Sequence, residues 1–196
     1  MIATSLKLYT AQTTWAVTLQ EAKDQLRVDT SDEDTLIQNL IYVAQKQVEE
    51  FTNLDLTGAT YDFYLTNLPA DGIVLPKSPI SSITSIKYRD VSNVEQTWAT
   101  SNYYYIVQES PLRIRYTDAY SLPSLYTNRF DAITVRFVTG YTSPDALPAP
   151  LKQAVLIILT DLYETRSDTP RERFSNWQSL CYPYRVWHST VETTIS

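Results

Sequence analysis

Hydrophobic positions along the chain follow two different periods, and the switches between them mark out its elements. Leu19, Ala22 and Leu26 recur at i, i+3, i+7, and Leu36, Ile37, Leu40, Ile41, Ala44, Val48 and Phe51 follow at three- and four-residue steps. Each set forms one apolar stripe at 3.6 residues per turn, so this stretch reads as two amphipathic helices. Thr18 with Glu21 has the spacing of a capping box and opens the first helix, expected to run to about Val28. Thr30 or Ser31 is expected to cap the second, with Asp32, Glu33 and Asp34 in its first turn, where the helix dipole favours negative charge. Asn53 and the loop around Gly58 end it. From Thr60 to Tyr141 the period becomes two, at Tyr61, Phe63, Leu65; Ile73, Leu75; Ile83 to Tyr88; Tyr103 to Val107; Leu112 to Tyr116; and Ile133, Val135, Phe137. This alternation predicts antiparallel strands. Pro76, Pro79, Pro111 and Pro123 fall between or at the ends of these runs, where a missing N–H breaks no ladder. Residues 118–129 carry no period and read as a long loop that contacts a neighbour.

Helical spacing then returns. Pro148-Ala149-Pro150 leads into a third helix expected from Leu151 to about Arg166, with Pro150 suited to its first position. Its middle, Ala154 to Leu159, is apolar on nearly every side and reads as a buried central helix. Asp168 and Pro170 stop it, a short helix follows around Ser175 to Cys181, and an extended tail carries Pro183-Tyr184-Arg185-Val186-Trp187. The expected fold class is α+β: a small helical bundle of about three main helices plus a short C-terminal one, with an inserted antiparallel β-sheet.

The 196 residues and 43% hydrophobic content suffice for one sizeable core, with a single domain as the default. A net charge of -6 argues against a phosphate-gripping surface, because duplex affinity comes largely from Lys and Arg displacing counterions. Cys181 is the only cysteine, which excludes an intrachain disulfide and suits a reducing cytoplasm. The first seven residues lack a basic and an apolar region, so no secretory signal is expected. The longest apolar run is far short of the ~20 residues that span a bilayer, so no membrane association is expected either.

Chemistry is sparse. His188 is the single histidine and lies beside a Ser/Thr-rich tail, which disfavours a histidine-dependent triad. Gly58, Gly72 and Gly140 are the only glycines, too scattered for a Walker loop or a dinucleotide fingerprint. One Cys and one His cannot make a structural zinc site, and the acids at 32–34 open a helix where a calcium loop would need a central glycine. No enzyme, metal or cofactor is expected. Two aromatic groups remain. Trp98 with Tyr103 and Tyr105 could form a contact platform for sugar rings or bases, or be ordinary sheet packing. Tyr182, Tyr184 and Trp187, with Arg173 and Arg185, have the composition of an interface hot spot, or of a strap folded back on its own domain.

The ordered set Thr18-Leu19-Gln20-Glu21-Ala22-Lys23, Leu26-Arg27-Val28-Asp29, Asp32-Glu33-Asp34, Val48-Glu49-Glu50-Phe51-Thr52, Ile73-Val74-Leu75-Pro76, Val135-Arg136-Phe137, Gly140-Tyr141, Pro150-Leu151-Lys152-Gln153-Ala154, Leu162-Tyr163-Glu164 and Pro183-Tyr184-Arg185-Val186 covers most of the chain. It resembles the head-tail connector (adaptor, head-completion) proteins of tailed double-stranded DNA bacteriophages, in the subgroup with a β-insertion. The tyrosine-rich insertion, the 118–129 loop and the tail beyond Trp187 depart from that pattern. The resemblance implies a single connector domain over 1–196, with a helical core at 18–53 and 148–182, a β-rich insertion at 60–141 and a C-terminal docking tail at 183–196. It implies a structural virion protein of the neck, assembled in the host cytoplasm. Its copies, usually twelve, would form a ring that joins the portal to a stopper or tail-completion protein and lets DNA pass without specific binding. Tyr184, Arg185 and Trp187 are then the candidates for portal docking. The alternative is a sugar- or peptide-binding β-module of a virion surface, with Trp98, Tyr103 and Tyr105 as its platform.

Overall fold

A computed structural model describes residues 4–117, 123–126, 129–143, 146–165 and 176–187. The chain divides into two compact units. One is built from Met1–Ala11, Gly58–Gly140 and Trp187–Ser196, the other from Gln12–Thr57 and Tyr141–Val186.

The helical unit holds α1 (Leu19–Leu26), α2 (Asp34–Thr52), α3 (Ala149–Glu164) and α4 (Trp177–Cys181). The capping box at α1 forms as its sequence requires: the Glu21 amide donates to Thr18 Oγ1 at 3.2 Å and the Thr18 amide to Glu21 Oε2 at 2.9 Å. Arg27, in the left-handed region at φ 57°, ends the helix two residues sooner than expected. The start of α2 corrects the expectation more clearly. Neither Thr30 nor Ser31 caps it; Glu33 takes the N-cap position with no side-chain cap bond, and of the three acids only Asp34 lies in the first turn, held by Lys23 at 2.7 Å. Pro150 occupies the second position of α3, because the helix begins at Ala149. Leu151, Ala154, Val155, Ile158 and Leu159 of α3 are buried while Leu156 and Ile157 are half-buried, so α3 buries one broad side. That side joins Ile37, Ile41, Ala44 and Val48 of α2 and Ala22 of α1 in one core. Lys152 closes the α1–α3 contact by pairing with Glu21.

Among the described residues the β unit holds eight strands: β1 (Thr4–Thr10), β2 (Ala59–Leu65), β3 (Ile73–Val74), β4 (Ile80–Arg89), β5 (Glu95–Thr97), β6 (Tyr103–Tyr104), β7 (Arg113–Tyr116) and β8 (Ile133–Thr139). β1 and β5 have no counterpart in the sequence expectation, and β6 is two residues where five were expected. A five-stranded sheet runs in the order β1-β2-β8-β4-β5 and a three-stranded one in the order β3-β7-β6, with every pairing antiparallel. Phe63, Leu65, Ile86, Ile133, Val135 and Phe137 from the larger sheet share a core with Ile73 and Ile114 from the smaller. The α+β class, with antiparallel sheets and, among the described residues, four helices, is as the sequence indicates.

The backbone at Gly72 tolerates only glycine. Gly72 sits at φ +93° before β3, and a Cβ there would lie 2.3 Å from the carbonyl oxygen of Ile114. Gly72→Ala should therefore lower stability by roughly 2–3 kcal/mol, from the left-handed strain together with the displaced strand pairing, measured as a shift in the urea midpoint. An unchanged midpoint would show that β7 yields freely at this point.

Candidate functional site

The C-terminal stretch of the helical unit is fixed by the end of α2. Asn53 caps α2 in the left-handed region at φ 58° and leaves the last carbonyls of the helix without intrahelical donors. Val186 supplies one such donor: its amide bonds the Thr52 carbonyl at 2.8 Å, and its own carbonyl accepts from Asn53 Nδ2 at 3.0 Å. Between α4 and this anchor lies a 3₁₀ turn, Tyr182–Tyr184, with the Arg185 amide bonded to the Tyr182 carbonyl at 3.2 Å. The Arg185 guanidinium lies 5.1 Å from the centre of the Phe51 ring, which meets Trp177 edge-on at 5.2 Å. Tyr184 is half-buried against the helical core.

The three nominated docking residues thus differ in setting. Tyr184 and Arg185 belong to a strap packed on α2, and Trp187 follows it in the chain at 67% exposure. Tyr182, which precedes the strap, is 64% exposed. Arg173, the fifth member of the group, and the single histidine His188 lie outside the described residues, as does most of the 118–129 loop.

At the end of α4, Cys181 is wholly buried, and burial pushes its thiol up to about 11 because the thiolate is disfavoured away from water. At pH 8 the folded protein should accordingly react with iodoacetamide far more slowly than the guanidinium-unfolded chain. Equal rates would mean that α4 opens readily from the helical core.

The nominated aromatic platform is corrected by burial. Trp98 is only 5% exposed and Tyr103 is buried; both lie in the core of the β unit, with ring centres of Trp98 and Tyr103 5.8 Å apart and those of Trp98 and Tyr116 5.6 Å apart. Tyr105 is half-buried against the same core, and the exposed ring of the run is Tyr104. The physical reason is the pleat: Tyr103 pairs with Tyr116 on β7 and points inward, which turns Tyr104 outward. A flat stacking surface for sugars is not built from these rings.

The outward face of the five-stranded sheet carries the charged cluster that sequence reasoning missed. Arg136 on β8 makes a bidentate pair with Asp62 on β2 at 2.7 and 2.8 Å, with the Tyr9 ring centre 3.5 Å from the guanidinium carbon. Lys87 pairs with Glu95, and Arg129 with Asp131, each at 2.7 Å. The hydrogen bond from Lys87 holds the Glu95 carboxyl below its ordinary range, and that from Arg129 does the same for Asp131. A shallow cavity of about 240 Å³ on this face is lined by Lys87, Arg89 and Arg136 against Asp62, Glu95 and Asp131. Matched in number, these charges leave no surplus to hold phosphates. Among the described residues no cluster of three or more His, Cys, Asp or Glu side chains is placed to hold a metal ion, and no helix is long and apolar enough to cross a membrane.

Residues 16–119, more than half the chain, match the model of the phage gp6-like head-tail connector proteins. The chain belongs to that family. It is a structural connector, not an enzyme. The connector is also similar in fold to a chain from the neck of an empty gene transfer agent particle computed with C6 symmetry, at a TM-score of 0.79 and 23% identity over 96% of this chain and 98% of the other. A chain from the virion of a native gene transfer agent particle gives 0.75 and 22% over 95% and 98%. A chain from the neck of the native particle computed with C12 symmetry gives 0.73 and 22% over 96% and 98%. No curated protein matches the sequence.

Proposed function

We propose that this connector assembles as a ring of twelve copies that joins the portal vertex of the head to the tail and extends the DNA channel between them. The observation that carries the reading is the likeness of fold over nearly the whole of both chains to neck chains of particles computed with C6 and C12 symmetry, taken with family membership. A closed ring needs heterologous interfaces, so each subunit presents two different complementary faces. The helical segments 18–53 and 148–182 pack against neighbours near the channel, and the β-rich insertion 60–141 reaches outward or towards a stopper or tail-completion protein. The net charge of -6 suits a conduit through which DNA slides without being gripped.

The decisive experiment is electron microscopy of particles from the parent phage with this gene interrupted early. Filled or leaking heads without tails support the reading; complete particles that merely bind cells poorly would overturn it.

On the portal side, the stretch Tyr184, Arg185 and Trp187 is the docking segment, with exposed Trp187 as its anchor. An exposed tryptophan that becomes buried at an interface typically carries about 2 kcal/mol or more. Trp187→Ala should therefore weaken portal binding roughly 30-fold in a pull-down titration while leaving the helical core folded. Unchanged affinity would move the docking site elsewhere.

A further inference from the structure

We propose that the β4–β5 turn and the adjoining Arg129–Phe130 dock the tail-side protein partner, which inserts a carboxylate beside Arg89 and Arg129; this rests on the reading of the chain as a neck connector. The turn itself brings the two arginines together. Asn93 adopts the left-handed region at φ 62°, which asparagine tolerates better than most residues. Its carbonyl accepts from Arg89 Nη1 at 3.2 Å and its side-chain oxygen from Arg129 Nη1 at 3.4 Å. Two like charges thus converge on one residue, an arrangement that an anion beside them stabilises. The neighbouring carboxylates are already engaged. Glu95 holds Lys87, Asp131 holds Arg129 and Asp62 holds Arg136, each at 2.7 Å. Asp90 uses both oxygens within the turn, accepting the Ser92 and Val94 amides and Gln96 Nε2. The cavity on this face is balanced in charge, but its pairing is not, because Arg129, outside the lining, takes Asp131. Among the described residues the Arg89 guanidinium, with its five donors, makes one hydrogen bond, and that is to a neutral carbonyl.

The side chains around the arginines specify the partner. Val91 and Val94 of the turn are 66% and 52% exposed. Phe130, next to Arg129 in the chain, is 65% exposed, with its ring meeting Tyr64 edge-on at 6.4 Å. Arginine set among exposed apolar and aromatic side chains is the composition of a protein interface. A DNA backbone fits poorly: a phosphate brought to Arg89 also meets Glu95 and Asp131 in the same cavity, and the side chains beyond are apolar where further cations would be needed. The fitting ligand is a single aspartate or glutamate carried between apolar residues. Its carboxylate answers the guanidinium fork with two bonds, and its neighbours cover the valines and Phe130. The β-rich insertion that carries this patch is the part that the ring reading sends outward or towards the tail, which makes the tail-side protein the occupant.

Complementation tests this, with full-length Arg89→Glu or Val91→Asp supplied from a plasmid to the parent phage whose own gene is interrupted. Each variant puts a negative charge where the partner's carboxylate docks, and each should lower the plaque titre roughly 100-fold, since like charges across an interface are strongly unfavourable. The heads should be filled and carry the variant protein but no tails. Suppressors of Arg89→Glu should replace an aspartate or glutamate of the tail-side protein with a neutral or basic residue. Wild-type titres from both variants would overturn the proposal. Heads that lack the variants but hold the wild-type protein would overturn it in favour of ring or portal contacts, and suppressors confined to this gene in favour of contacts between copies. Binding of a short DNA duplex that Arg89→Glu abolishes would give the patch to DNA and overturn it as well. Should circular dichroism show Arg89→Glu unfolded, Val91→Asp, an exposed turn position, decides the matter alone. Complete particles formed with no copy of this gene would overturn the neck reading and this proposal together, whereas every other adverse result leaves that reading standing.

Discussion

Glu49→Ala is expected to lower the stability of the helical unit by about 3 kcal/mol, because one carboxylate organises a buried polar network. Glu49 lies on α2 at 7% exposure. Its Oε1 accepts from Gln45 Nε2 at 2.8 Å, from Gln12 Nε2 at 2.8 Å and from the Leu56 amide at 2.9 Å, while its Oε2 accepts from Lys46 at 2.6 Å. Gln45, wholly buried one turn earlier, also donates to Thr57 Oγ1 and accepts the Ala16 amide, so the network ties residues 12–16 and 54–57 to the helix. A buried carboxylate persists only when its hydrogen bonds offset its desolvation, and here four donors do so. Alanine leaves the Leu56 amide bare in the core and Gln45 short of a partner. Glu49→Gln keeps one acceptor oxygen and should cost about 1 kcal/mol, so the pair of variants separates lost geometry from lost charge. Urea unfolding followed by ellipticity at 222 nm reads both; coincident midpoints for Glu49→Ala and wild type would show that water substitutes for the carboxylate.

That network also marks the limit of what the sequence discloses. Thr18 and Glu21 announce α1 because a capping box is a local device, complete within four residues. The period-two runs announce β2, β4 and β8 because each buries one face. Gln45 and Glu49, by contrast, look like polar breaks in the α2 stripe, and only the returning segments at 12–16 and 54–57 make them interior residues. β1 is illegible for the opposite reason: it buries neither face, so its order comes from the edge that β2 offers, 50 to 61 residues away. β5 depends on a turn in which Asp90 accepts the amides of Ser92 and Val94 and Asn93 adopts φ 62°, a local chemistry that the strand period does not contain. The aromatic run misled because composition nominates a contact surface while pairing decides which ring faces in. The Asp62–Arg136 pair joins residues 74 positions apart and could be seen only once register placed them opposite.

Phe137→Ala should cost still more, about 4 kcal/mol, and should act on the β unit alone. Phe137 is fully buried in β8, flanked by Tyr61 on β2 and Ile83 on β4, with its ring stacked on Tyr61 at 5.8 Å and 25°. Because β8 is the middle strand of five, both neighbours are pinned by their own ladders, which limits how far they can close over the lost ring; the cost is therefore the transfer of the side chain plus an unfilled cavity. Against a typical net stability of about 5–15 kcal/mol this is a large share. The helical unit keeps its own core, of which Phe137 is not a member. Hydrogen exchange should consequently accelerate across β2, β4 and β8 in the variant while α2 and α3 retain their protection. Equal acceleration in both sets would show that the two cores unfold as one cooperative block, and that damage to the sheet reaches the helical segments proposed to pack between neighbouring copies.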